Sequence, residues 1–254
     1  MKRSIYIVLL FALLAGTSCQ RRASRYYGDN GSVAADYSRR CTKQNTNAQS
    51  NSNRRASQQR TGSGGGSHAL TGQEIFKRYS PAVFMVFTST GHEYFQGSGF
   101  FVSADGLAVS NYHVFEGTSM GAEVIVLSDG TQLKLDKVIA KDKENDLMVF
   151  RVASSRKEFA HIPISNRQVQ VGDKAYAIGS PKGLENTFSS GEISQLRGNN
   201  VIQINVPIDH GSSGGALMNE YGEVIGVTSG GYDTSGANLN FAISIDPIKR
   251  YISR

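Results

Sequence analysis

From residue 82 onward, short runs dense in Val, Ile, Phe and Leu alternate with clusters of Gly, Asp, Asn and Ser. Runs of this length, rich in β-branched and aromatic residues and closed by turn signals, predict strands. The clearest are 82–88, 99–102, 123–128, 133–140, 147–152, 174–178, 201–206, 224–228 and 239–243. Asp105-Gly106, Asp129-Gly130 and Tyr221-Gly222 supply tight turns between them. Helix signals are confined to the two ends of this region. Thr71-Gly72-Gln73-Glu74 is a capping-box pattern that starts a short helix running to about Tyr79, and Pro81 stops it. Asp246 to Ser253 reads as a closing helix. Many short strands with little helix predict an all-β barrel or sandwich. The 187 residues of 68–254 suit two small antiparallel barrels packed together, the first over 80–155 and the second over 156–245.

The first 67 residues follow neither pattern. Lys2 and Arg3 precede an apolar run of 11 residues, Ile5 to Ala15. That is about half the ~20 residues needed to span a bilayer, so residues 1–19 read as an export signal. Gly16-Thr17-Ser18-Cys19 resembles a bacterial lipoprotein processing site, which makes Cys19 a candidate for lipid attachment and a membrane tether. Such sites usually carry an aliphatic residue where Gly16 stands, and ordinary signal-peptidase cleavage nearby is the competing reading. Residues 20–67 are rich in Arg, Ser, Gln, Asn and Gly and end in Gly62-Ser63-Gly64-Gly65-Gly66-Ser67. They have too little apolar surface to offset ordering entropy and read as a disordered linker.

Charge follows the same division. The chain is formally +6, yet residues 68–254 hold 16 Lys/Arg against 19 Asp/Glu, while the linker holds nine against two. The basic balance belongs to the linker and not to the folded region. A solvated spacer, or attraction to an anionic envelope surface, explains it. Nucleic acid is not an expected partner, since Tyr26-Tyr27 makes no stacking platform. Cys19 and Cys41 both precede the folded region, so no disulfide framework supports its core.

Three segments carry the candidate chemistry: His113 in Ser110-Asn111-Tyr112-His113-Val114, Asp146 in Glu144-Asn145-Asp146-Leu147, and Ser213 in Gly211-Ser212-Ser213-Gly214-Gly215. A serine hydroxyl needs a base within hydrogen-bond reach, and an imidazole that titrates near neutrality can take its proton. The base needs an acceptor that holds its tautomer and stabilises the imidazolium. The order His, Asp, Ser, at separations of 33 and 67 residues, is the chymotrypsin order of the nucleophilic triad. Gly211, Gly214 and Gly215 permit a tight turn that can aim the N–H groups of Gly211 and Ser213 at a developing oxyanion. Each segment also has a plain alternative: a packed histidine, a strand-capping aspartate, a flexible glycine turn. Their joint order, spacing and strand context favour catalysis. No Cys/His spacing suggests a metal, and no cofactor is expected.

Residues 71–246 resemble the protease domain of the HtrA/Deg family of trypsin-fold serine proteases. The matching segments are Gly97-Ser98-Gly99-Phe100-Phe101-Val102, Asn111-Tyr112-His113-Val114, Asn145-Asp146-Leu147, Ala177-Ile178-Gly179-Ser180-Pro181, Ser190-Gly191-Glu192-Ile193-Ser194, Gly211-Ser212-Ser213-Gly214-Gly215-Ala216-Leu217 and Asn240-Phe241-Ala242-Ile243. The resemblance implies two six-stranded β-barrels of the chymotrypsin type with the active site in the cleft between them. It also implies a periplasmic or envelope endopeptidase acting without cofactor on unfolded or damaged polypeptides. The family usually carries Asn at Ser212 and often Pro at Ala216, and the turn accommodates both changes.

The same resemblance frames further expectations. The primary substrate pocket would be bounded by Ile208, Gly231 and Leu239, favouring an apolar or small residue before the scissile bond. The alternative is that these three belong to the barrel core. Pro207 stands where a trypsin-like acid would be needed, and Asp209 is expected on the loop surface. Leu196-Arg197-Gly198-Asn199-Asn200 and the Gly91 to Gln96 loop are short where regulatory members are longer, and a peptide-binding PDZ module would begin where Arg254 stands. Related enzymes form trimers through aromatics near the start of the domain, so Phe76 and Tyr79 serve either a homotrimer or the core. A non-cleaving peptide-binding or chaperone protein on the same fold is the rival reading, disfavoured by an intact triad. A protease inactive until assembly or tail removal is a third.

Overall fold

The computed structural model describes residues 68–252, apart from 92, 120, 157, 181–185 and 233–238. The signal, the linker, Cys19 and Cys41 lie outside the described residues. Helix α1 spans Gly72–Tyr79 and starts on the expected capping box: Glu74 N–H donates to Thr71 Oγ1 at 3.3 Å, and Thr71 N–H donates to the Glu74 carboxylate at 2.8 Å. A 3-10 turn at Ser80–Ala82 follows, with Pro81 ending the helix.

Among the described residues, twelve strands then close two antiparallel barrels. The first comprises β1 (Val83–Ser89), β2 (Tyr94–Phe101), β3 (Leu107–Ser110), β4 (Val124–Val126), β5 (Gln132–Asp142) and β6 (Leu147–Ala153), in spatial order β1-β2-β3-β6-β5-β4. The second comprises β7 (Lys174–Gly179), β8 (Thr187–Arg197), β9 (Val201–Ile204), β10 (Ala216–Met218), β11 (Val224–Tyr232) and β12 (Leu239–Ser244), in order β7-β8-β9-β12-β11-β10. One topology is therefore used twice. The described residues end in a 3-10 turn, Asp246–Ile248, and the one-turn helix α2, Lys249–Ile252, rather than in a single helix from Asp246.

Three strands escaped the hydrophobic pattern, for different reasons. β3 and β10 are four and three residues long and wholly buried, so they show no alternation. β8 is 11 residues long but rich in Ser, Gly and Gln, and mostly exposed or half-buried. β2 begins at Tyr94 rather than Gly99, so the connection after β1 is shorter than Gly91 to Gln96.

The apolar residues sort into three clusters. Phe84, Phe101, Phe115 and Phe150 fill the first barrel, with Phe159 from the connection. Ala175, Ile193, Ile202, Ile204, Leu217 and Ala242 fill the second. The third lies between the barrels and contains Val83, Phe100, Val109, Leu147, Ile178, Ala216 and Val227, closed off by Ile75, Tyr79, Ile245 and Ile248. Tyr79 is thus core, while Phe76 is half-buried and meets Phe188 edge-on at 6.0 Å. The third cluster locks the barrels together and fixes the geometry of the cleft they share.

Candidate active site

His113 opens a 3-10 turn, His113–Phe115, that leaves the first barrel just after β3. Val114 and Phe115 are buried in the barrel, which anchors the turn, whereas the His113 side chain is 41% exposed. Asp146 ends the β5–β6 connection with φ +53°, a left-handed conformation that Asp tolerates better than most residues. Its carbonyl accepts from Asn111 Nδ2 at 2.9 Å and from Tyr112 N–H at 3.2 Å. Its carboxylate grips His113 twice: Oδ1 accepts the backbone N–H at 2.9 Å, and Oδ2 lies 2.7 Å from Nδ1. An ionised carboxylate only accepts, so Nδ1 carries the proton and Nε2 of the neutral ring is left free to act as a base. The surrounding protein works to lower the imidazole pKa by desolvation. The Asp146 charge and hydrogen bond, with a smaller contribution from Glu116, outweigh it, and the pKa is raised above its usual 6.5.

Ser213 lies in a loop of the second barrel whose backbone is almost fully tied down. Ser212 N–H donates to Asp209 O at 3.0 Å, Gly215 N–H to Ser212 O at 2.9 Å, and Gly214 N–H to Thr228 O at 2.8 Å. Thr228 Oγ1 donates back to Ser212 O at 2.6 Å. Gly211 and Gly214 have φ of +92° and +91°, where other residues are strained. A methyl group on Gly214 would also overlap the Ser98 carbonyl oxygen. Two N–H groups are conspicuous exceptions to this bonding. Those of Gly211 and Ser213 have no intramolecular acceptor among the described residues. They are the two the sequence marks as oxyanion donors.

Ser98, fully buried on β2 of the first barrel, holds this loop across the cleft. Its N–H donates to Ser213 O at 2.7 Å and its Oγ to Gly211 O at 2.7 Å, while Oγ accepts from Ser180 N–H at 2.9 Å. Ser110 Oγ in turn donates to Ser98 O at 2.7 Å. Ser229 on β11 links Ser213 and Asp146: its carbonyl accepts from Ser213 Oγ at 3.0 Å, and its hydroxyl donates to Asp146 Oδ2 at 3.2 Å. Sequence reasoning missed Ser98, Ser110, Thr228 and Ser229 as parts of the site. Strand serines carry no local signature; only Gly97-Ser98-Gly99, whose glycines make room for close backbone approach, hinted at one.

Ile208 lines a hollow of about 140 Å³ beside the nucleophile loop, with Ile178, Thr187, Pro207, Asp209 and Thr228. Asp209 is on the exposed loop but reaches this lining. Gly231 and Leu239 lie on the β11–β12 pair, where Gly231 is opposite Asn240 and Leu239 opposite Tyr232.

The family model for a trypsin-like peptidase domain matches residues 97–227, just over half of the chain, including His113, Asp146 and Ser213. The chain belongs to the trypsin-like peptidase family. This peptidase domain is 36% identical over 159 residues to a probable periplasmic serine endoprotease, DegP-like, of Rhizobium meliloti, covering 59% of this chain and 31% of the relative. It is 34% identical over 166 residues to the chloroplastic Protease Do-like 1 of Arabidopsis thaliana, covering 60% and 37%. The chain thus spans about a third of the length of the curated relatives it matches. Among solved structures, the serine endoprotease from Yersinia pestis superposes with a TM-score of 0.64 at 28% identity, covering 72% of this chain and 67% of that one.

Proposed function

We propose that this peptidase domain is a serine endopeptidase in which Ser213 is the nucleophile, His113 the general base and Asp146 the residue that orients and charges the base. Ser213 Oγ bonds to the scissile carbonyl carbon as its proton passes to His113 Nε2. The oxyanion is received by the N–H groups of Gly211 and Ser213. Nε2 then returns the proton to the leaving amine, and a water molecule, deprotonated by the same nitrogen, releases the acyl group. The observation that carries the reading is the doubly held Asp146–His113 pair, linked through Ser229 to a loop in which the N–H groups of Gly211 and Ser213 have no acceptor among the described residues.

One contact supports a gating step. Ser213 Oγ donates to Ser229 O, and must turn away from that carbonyl before it can serve Nε2. A substrate strand laid along β11 would offer its own N–H to Ser229 O and release the hydroxyl. The same contact is the one observation on the side of a peptide-binding protein that holds without cutting.

The substrate class is unfolded or damaged polypeptide, with an apolar or small residue before the scissile bond. The names of the periplasmic relatives and the N-terminal export pattern together support action in the periplasm or envelope. Tethering through lipidated Cys19, and a homotrimer, belong to the same proposal. The test is degradation of a casein-like substrate by the full chain, with fluorophosphonate labelling, beside Ser213→Ala. Cleavage and labelling lost together in Ser213→Ala are the expected result. A folded wild-type chain that binds the substrate but neither labels nor cuts would hand the case to the peptide-binding reading.

A further inference from the structure

Asp146 holds an uncommon left-handed backbone, which persists only where its surroundings over-determine it. The contacts already described tie its carbonyl and carboxylate. The residue before it is tied as well. Asn145 N–H donates to Asp142 Oδ1 at 3.0 Å, and Asn145 Nδ2 to Asp142 Oδ2 at 2.9 Å. A carboxylate can only accept, so this fixes which end of the Asn145 amide is which. Oδ1 is left pointing away from Asp142, and it accepts from Asn200 Nδ2 at 2.9 Å.

Asn200 belongs to the other barrel. It ends the three-residue β8–β9 connection, Gly198-Asn199-Asn200, where Asn199 and Asn200 have φ of +60° and +61°. Its carbonyl is bonded as well, accepting Ser244 N–H from the end of β12 at 2.7 Å. The Asn200 amide therefore stands on a braced turn of the second barrel and reaches the loop of the first barrel that bears the triad acid.

We infer that Asn200 is a positioning residue: through Asn145 it holds Asp146 against His113, and so couples the β8–β9 turn to the strength of the base. This rests on the proposed catalytic roles of Asp146 and His113. The turn is short, but its position gives it a direct line to the acid. Anything that shifts the turn changes how well Asp146 meets Nδ1. The charged groups facing His113 are Asp146 and Glu116, the latter occupied by Lys143 at 2.9 Å, so a change at the neutral Asn200 reaches the imidazole only through Asp146.

The test is Asn200→Gly in the full chain, since glycine removes the amide without straining a left-handed position. Asn199→Gly, in the same turn but lacking the bond to Asn145, is the control. With a fluorogenic peptide, Asn200→Gly lowers kcat about three- to tenfold with little change in KM, as expected for one modest hydrogen bond acting on the transition state. The acid limb of kcat/KM moves to lower pH, and the His113 imidazole, followed by NMR in ¹⁵N-histidine-labelled protein, titrates lower. Asn145→Ala reproduces the loss, and adding Asn200→Gly to it costs nothing more. The inference is overturned if Asn200→Gly matches Asn199→Gly in His113 titration, or if its effect adds fully to that of Asn145→Ala. The NMR titration reads the coupling even in a chain that cuts nothing, so a failure of the protease reading and a failure of this one are told apart.

Discussion

The two barrels share one strand order and almost nothing else. The first is filled with phenylalanine: Phe101 meets Phe159 at 4.4 Å and Phe84 at 4.7 Å in tilted pairs, and Phe115 meets Phe150 at 5.2 Å. The second is filled with aliphatics and alanines. Their contributions to the cleft differ in the same way. The first barrel supplies ionisable side chains, His113 and Asp146, the former on a turn anchored by the buried Val114 and Phe115. The second supplies backbone, a glycine-shaped loop with two unspent N–H groups, whose position is dictated by hydrogen bonds and by Ser98 reaching across. A topology used twice thus holds two kinds of chemistry, and each kind depends on a different physical support.

The largest expected effect lies in the electrostatics of the first barrel. Asp146→Asn keeps the shape but removes the charge and unsettles the tautomer, and kcat should fall by about 10³–10⁴. The His113 pKa should drop with it, which NMR titration reads. An unchanged His113 titration would break the assignment of the acid.

Next is the aromatic support. Phe115 is buried two residues after His113, so Phe115→Ala should cost about 3–5 kcal/mol in urea unfolding and also lower kcat. Ile204→Val, buried in the second barrel away from the nucleophile loop, should cost about 0.5–1.5 kcal/mol and leave kcat nearly unchanged. Equal effects on kcat would mean that the barrels do not divide their labour as described.

Gly214→Ala tests the backbone side. A left-handed alanine costs about 1–2 kcal/mol, and overlap with the Ser98 carbonyl about 1–3 more. Fluorophosphonate labelling of Ser213 should disappear even at a temperature where the variant stays folded.

The smallest effect is a pH dependence of stability. Because the His113 pKa is raised in the folded state, its attraction to Asp146 stabilises fully below about pH 6.5. That contribution fades as pH rises through the raised value. The urea midpoint should therefore fall slightly across that window in the wild type, and that fall should be lost in Asp146→Asn. Solvent exposure of the ring keeps the effect small.

Much of this molecule is written locally. The capping box starts α1, Asp129-Gly130 and Tyr221-Gly222 make their turns, with φ of +81° and +73° at the glycines, and the longer apolar strands fall where the pattern puts them. His113, Asp146 and Ser213 stand out as candidates because acid–base and nucleophilic chemistry demand particular side chains in a chain order that few other arrangements share. Local pattern failed where burial or polarity erased alternation, in β3, β10 and β8.

What only the tertiary structure decided are the long-range ties. Ser98 to Gly211, Ser229 to Asp146 and Asn200 to Asn145 join residues 113, 83 and 55 positions apart. No periodicity encodes such pairs, since each depends on where two separately closed barrels come to rest. Ile208, Gly231 and Leu239 come from separate segments: Ile208 lines the hollow beside the Ser213 loop, while Gly231 and Leu239 sit opposite Asn240 and Tyr232 on the β11–β12 pair. The sequence by itself determined which groups could do the chemistry. The packing of Val83, Phe100, Ile178 and Val227 between the barrels decided the distances at which those groups face one another, because a cleft exists only once its two walls are locked in place.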